Sequence, residues 1–205
     1  MIKYIRLLTA VLFVTITATA QNFDINTLKK INLNRNTGLD KTFITITNSG
    51  NYIDFGVPSI VTLTGLLTKN KQVTRRGIYL IASQAVTIAA TQTLKRIVNR
   101  PRPWATYPYL QPYEPVLQYS LPSGHTSSVF AMATSVSVTY KKWYIVAPAY
   151  SYATLVAYSR MHLGVHYPSD VLAGAVLGAS CAIITNVLQK RYFNKKKNKY
   201  TIKTT

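Results

Sequence analysis

Pro122-Ser123-Gly124-His125 leads directly into an uncharged block, Thr126 to Tyr140, and the reading of this stretch decides the fold. Pro-Ser-Gly ahead of an apolar run is a turn followed by a helix start. Outward from it lie four more apolar blocks: Tyr52 to Thr68, Ile78 to Leu94, Trp143 to Tyr158, and Val171 to Leu188. Each approaches the ~20 residues that cross a bilayer core, although several fall short. All are rich in Ala, Ser, Thr and Gly, which lets helices pack closely inside a membrane. A soluble helical protein with similar core helices is the competing reading, because no block is a pure Leu/Ile/Val run.

Charge separates the two. The chain has 24 Lys+Arg against 5 Asp+Glu, a formal net charge of +19. If the blocks are spans, 13 basic residues and no acid fall in the segments around Lys69–Arg76, Lys141-Lys142 and Lys190–Lys203. The opposite side receives 9 basic residues and all 5 acids. Positive charge concentrates on the cytoplasmic side, whereas a soluble bundle has no reason to sort its charges between alternate loops. The expectation is an all-α bundle of five or six transmembrane helices in a bacterial-type inner membrane.

At the N-terminus, Lys3 and Arg6 precede an apolar stretch, Leu7 to Ile16, and then Ala18-Thr19-Ala20. Residues 1–20 therefore read as a signal peptide or a first transmembrane helix; the short apolar core and the small-residue site favour cleavage. Residues 21–190 form one domain, and 191–205 a basic tail, solvated, partly disordered and attracted to anionic lipid. The apolar blocks argue against a nucleic-acid partner. Five scattered acids, three histidines and the single Cys181, which sits in an apolar run, cannot build a two-metal phosphoryl-transfer cage or a Cys-rich site. No metal and no cofactor is expected. Oligomeric state is not readable.

Three segments on the expected outer side carry the chemistry. They are Lys95 to Arg102-Pro103, then Pro122-Ser123-Gly124-His125, then Ser159-Arg160 with His166 and Asp170. Singly each is ordinary. Together they offer three cations, two histidines, a carboxylate and a helix start at one end of one bundle. Guanidinium groups and first-turn N–H groups suit the oxygens of a phosphate, and two histidines can divide the work of nucleophile and acid.

In the order KxxxxxxRP, PSGH and SRxxxxxHxxxD, these residues resemble the signature of the type 2 phosphatidic acid phosphatase superfamily, which includes vanadium haloperoxidases and bacterial acid phosphatases. The resemblance spans roughly residues 50 to 190. It implies a phosphohistidine intermediate on His166, Asp170 orienting that ring, and His125 as the acid for the leaving group. It further implies that Lys95, Arg102, Arg160, Ser123 and Gly124 hold the phosphate. The expected activity is hydrolysis of a phosphomonoester or pyrophosphate on a lipid by an active site facing the periplasm. Alternatives are a soluble acid phosphatase secreted to the periplasm and a vanadium-dependent haloperoxidase. His162 is expected to pack or to support the site indirectly, Arg96 and Arg100 to contact loop or headgroup. Trp104 to Leu121, with four tyrosines, reads either as an aromatic lid or as an ordinary ordered loop.

Overall fold

The computed structural model describes residues 22–115 and 118–201. The leader reading of residues 1–20 lies outside the described residues. Helix α1 covers 22–33, and a 3-10 turn, Thr37–Leu39, leads into α2, Asp40–Leu67. Then come α3, Lys71–Val98, a single turn α4, Pro103–Thr106, α5, Gly124–Tyr140, α6, Trp143–His162, and α7, Pro168–Thr201. Among the described residues there is no strand. The five apolar blocks fall inside α2, α3, α5, α6 and α7.

Local chemistry explains the joints. Asn70 caps α3 by accepting from the backbone N–H of Gln72 and Val73, at 3.0 and 3.2 Å. Asn99 and Lys141, at φ 53° and 51°, end α3 and α5 in the left-handed region. The short joints at 68–70, 141–142 and 163–167 reverse the chain and make neighbours antiparallel, and the longer segment 99–123 returns the start of α5 to the end of α3. The start of α2, the end of α3, the start of α5, the end of α6 and the start of α7 thus meet at one end. The helix continues past residue 190 to Thr201, so the basic tail begins as an extension of α7.

At the centre, α5 packs against α2, α3, α6 and α7. Closeness to α7 depends on glycine. A Cβ on Gly178 would lie 2.0 Å from the Ser127 carbonyl oxygen, and one on Gly174 would lie 2.7 Å from that of Ser123. Gly65 and Gly77 play the same part between α2 and α3. This is the small-residue packing of membrane bundles.

Apolar clusters share the interior with many polar side chains, and large apolar side chains cover much of the outside. Thr47, Ser83, Gln84, Thr87 and Ser135 are buried, while Phe55, Ile60, Leu63, Leu172 and Ile184 are exposed. Several buried hydroxyls pair internally, as in Ser135 to Ser83 at 2.8 Å. One described segment, Pro168–Tyr192, is long and apolar enough by itself to cross a membrane.

Candidate active site

Each signature side chain comes from an element end. Lys95 sits in the last turn of α3 and Arg160 in that of α6. Arg102 precedes α4, whose first residue is Pro103. His125 lies in the first turn of α5, His166 between α6 and α7, and Asp170 in the first turn of α7. Lys95, Arg102, Gly124, His125, Arg160 and His166 line one cavity of about 270 Å³. Ser123 and Asp170 are fully buried behind that lining. Ser123 departs most from expectation: its N–H donates to the Asp170 carbonyl at 3.0 Å, and its hydroxyl accepts from Thr126 at 2.9 Å. The N–H groups that follow it, in the first turn of α5, are those without an intrahelical acceptor.

His166 is held in one tautomer. Arg102 Nη1 lies 2.8 Å from His166 Nε2. A guanidinium can only donate, so Nε2 carries the lone pair and the proton sits on Nδ1. Nδ1 faces Asp170 Oδ2 at 3.4 Å, too long for a good hydrogen bond, and has no other partner. Burial, helped by Arg102 and Arg160 against the pull of Asp170, holds the His166 pKa down to about 3. The ring is neutral at neutral pH. Burial also lowers Arg102, to about 10, which leaves it charged.

The cations are pinned by backbone rather than by acids. Arg102 donates to the carbonyls of Gln118 at 2.6 Å and Val165 at 2.8 Å, and Lys95 to that of Tyr119 at 2.5 Å. The loop after α4 therefore fixes two of the three cations without neutralising them. Arg160 Nη1 donates to Thr47 at 3.0 Å, while its Nε is buried without an acceptor. Such a set concentrates positive charge around the cavity.

Asp170 is held by Arg100 Nη1 at 2.7 Å, by the Tyr167 N–H at 2.9 Å and by the Ser120 hydroxyl. The expectation for Arg100, a loop or headgroup contact, needs correcting. Its guanidinium also reaches Asp24 at 2.8 Å and lies 4.0 Å from the centre of the Tyr167 ring. Burial disfavours its charge, but Asp170 and Asp24 outweigh that and raise its pKa. The scarcity of acids was the usable signal. Asp24, Asp40, Asp54 and Asp170 are all buried, and a buried carboxylate needs a charged or hydrogen-bonding partner. His162 stays outside the cavity lining, its Nε2 2.9 Å from Asp40 Oδ1, with Arg35 on the same carboxylate at 3.1 Å.

The sequence pattern of the PAP2 superfamily matches residues 76–193, from α3 into α7, and that span contains every signature residue of the cavity. The chain belongs to the PAP2 superfamily. It is 31% identical over 159 residues to the undecaprenyl-diphosphatase of Sulfolobus acidocaldarius, covering 77% of this chain and 74% of that protein. Its structure resembles that of Aquifex aeolicus LpxE with a TM-score of 0.67 at 29% identity, over 80% of this chain and 94% of the other. It also shares its fold with a transmembrane PAP2-type phosphatidylglycerolphosphate phosphatase from Bacillus subtilis, with a TM-score of 0.70 at 23% identity, over 90% and 96% of the two chains. With PAP2 membership and relatives named as phosphatases, the chain is a phosphoric ester hydrolase.

Proposed function

We propose that this PAP2 protein is a membrane-embedded lipid phosphatase that works through a phosphohistidine on His166 without a metal ion. The observation that carries the reading is the state of His166. Its ring is neutral, with the Nε2 lone pair directed to Arg102 at the wall of a cation-lined cavity and the Nδ1 proton facing Asp170.

In the proposed reaction a phosphate monoester enters between Lys95, Arg102, Arg160 and the first-turn N–H groups of α5. Arg102 exchanges its bond to His166 for one to a phosphate oxygen, and this frees Nε2. Burial and the cations Arg160, Arg102 and Lys95 hold the His125 pKa down to about 3; the bound phosphate anion offsets those cations and lets His125 carry a proton. Nε2 attacks phosphorus, the bond from phosphorus to the leaving oxygen breaks, and His125 gives that oxygen its proton. Asp170 stabilises the charge on the ring through Nδ1–H. His125, now neutral, takes a proton from water; the water oxygen attacks phosphorus, the P–N bond breaks, and inorganic phosphate leaves. The cations stabilise the equatorial oxygens in both steps. A divalent ion would be repelled by such a set, so the cations themselves supply the charge stabilisation.

Lipid as substrate is supported by the outer surface. Phe55 and Ile88 line the cavity and are 62% and 41% exposed, so its mouth opens on apolar surface. Among candidate head groups, the Sulfolobus relative favours an isoprenoid diphosphate. A soluble acid phosphatase would have no use for the exposed apolar residues of α2 and α7. The test is phosphate release by purified protein in detergent from undecaprenyl diphosphate, phosphatidic acid, phosphatidylglycerol phosphate and a lipid A phosphate. Activity is expected to persist in excess EDTA and to be inhibited by vanadate. Loss in EDTA, restored by Mg²⁺, contradicts the mechanism.

A further inference from the structure

Helix α1 lies outside residues 76–193 that match the PAP2 pattern, yet its buried face is built against the segment that carries His166. Asp24, Ile25, Leu28 and Asn32 are buried, and their spacing places them on one side of the helix. Asn32 Nδ2 donates to the His162 carbonyl at 3.0 Å, at the start of the segment. Ile25 and Leu28 cluster with Tyr167, the residue after His166. Asp24 Oδ1 accepts from the Ser169 N–H at 2.8 Å, while Oδ2 accepts from the Ser169 hydroxyl and from Arg100 Nη2 at 2.8 Å. Arg100 Nη1 then reaches Asp170 Oδ1 at 2.7 Å.

We infer that α1 is a clamp that sets the His166–Asp170 geometry, with Asp24 as a positioning residue acting through Arg100. The inference rests on the reading of His166 and Asp170 as the working pair. Arg100 alone would close on Asp170 with both terminal nitrogens, the preferred geometry of a guanidinium with a carboxylate. Asp24 occupies Nη2, so Asp170 receives only Nη1, which also donates to the Ser169 hydroxyl at 2.7 Å. That leaves Oδ2 for Ser120, Tyr167 N–H and the approach of His166 Nδ1. Removing the charge of Asp24 leaves Arg100 Nη2 without a charged partner and loosens the start of α7 at Ser169. The cost falls on the orientation of His166 and not on the capture of phosphate, which Lys95, Arg102 and Arg160 perform.

The experiment compares Asp24→Asn, Arg100→Ala and Arg100→Lys with the full-length protein in detergent, and uses Asp40→Asn as control. Asp40 is also a buried acid at this end, but it pairs with His162 and Arg35. Asp24→Asn is expected to lower kcat roughly 10- to 100-fold, the scale of partners that orient a functional histidine, with KM within about twofold. Arg100→Ala lowers kcat at least as far, and Arg100→Lys recovers part of it. The double variant Asp24→Asn/Arg100→Ala falls by less than the two single losses combined, because both act on Asp170 through the Arg100 bridge. An unchanged kcat in Asp24→Asn with only a lower melting temperature, or full additivity in the double variant, overturns the inference. If Asp24→Asn does not fold, Ser169→Ala, which removes a hydroxyl that donates to Asp24 and accepts from Arg100 Nη1 at 2.7 Å, tests the same bridge and is read in the same way. Wild type that releases no phosphate would count against the proposed function alone. The clamp is then read from the Nδ1–H signal of His166 in histidine-labelled protein, which must shift in Asp24→Asn and not in Asp40→Asn. A His166 signal unmoved by Asp24→Asn overturns the clamp.

Discussion

The two nitrogens of His166 have different partners and therefore different duties. On the proposed mechanism, loss of the ring removes the nucleophile, so His166→Ala is expected to abolish the burst on both a lipid phosphate and p-nitrophenyl phosphate. His125→Ala should cost roughly 10²- to 10⁴-fold on the lipid and far less on the nitrophenyl ester, whose leaving group needs little protonation. Asp170→Asn falls between them. A burst kept by His166→Ala and lost by His125→Ala on both substrates reverses the roles. Acid stability gives a second expectation. The folded pKa of His166 is about 3 against an ordinary 6.5. Between these values the unfolded chain takes up a proton that the folded chain refuses, so stability is intact above about 6.5 and falls as pH drops below it. The melting temperature should therefore drop less between pH 7 and pH 5 in His166→Ala than in wild type; equal drops contradict it. The signature residues were legible because their types and spacing are diagnostic together. Arg100 and Asp24 were not, since the first occupies a variable position of the signature and the second lies far from it in sequence. Only the folded chain shows that one guanidinium bridges two carboxylates.

For the helices, the closest approach is that of α5 to α7, where a side chain at Gly178 would meet backbone that cannot move aside. Gly178→Ala is expected to destabilise the protein by about 1–3 kcal/mol through overpacking. Gly174→Ala should cost activity as well, because it presses α7, with Asp170, away from Ser123 on α5. Gly56→Ala, where nothing lies within 4 Å, is the neutral control. Melting temperatures and phosphate release of the three variants check this; a destabilised Gly56→Ala alongside a neutral Gly178→Ala contradicts the packing account. The five long helices were visible as apolar blocks, and their small residues pointed to close packing. Their outer ends were less visible. Helix α2 begins at Asp40, well before Tyr52, because polar residues such as Thr47 and Asp40 are buried by partners from α6. Helix α1 has no apolar block at all, and its buried face mixes Asp and Asn with Ile and Leu. Polar burial of that kind obeys tertiary partners and leaves no periodic trace.

Across the molecule, the exposed apolar side chains and the polar residues buried between the helices agree with the sorting of basic residues between the two ends. On the proposed topology, a periplasm-dependent reporter fused after Leu110 is active and one fused within Lys195 to Lys199 is silent; the reverse pattern places the cavity in the cytoplasm. Two features of the whole chain combine in the central claim: an opening onto apolar surface, and a cation-rich cavity where the carboxylate beside His166, that of Asp170, is already engaged by Arg100 and Ser120. The proposed function is that such a molecule takes a lipid phosphate from the bilayer and passes the phosphoryl group through its own histidine. The most direct measurement is a rapid acid-free quench of the purified enzyme with lipid carrying radiolabelled phosphate, in excess EDTA, followed by peptide mapping. The account predicts an acid-labile, base-stable label on His166 that is absent from His166→Ala. A label on another residue, or one that forms only when Mg²⁺ is restored, contradicts it.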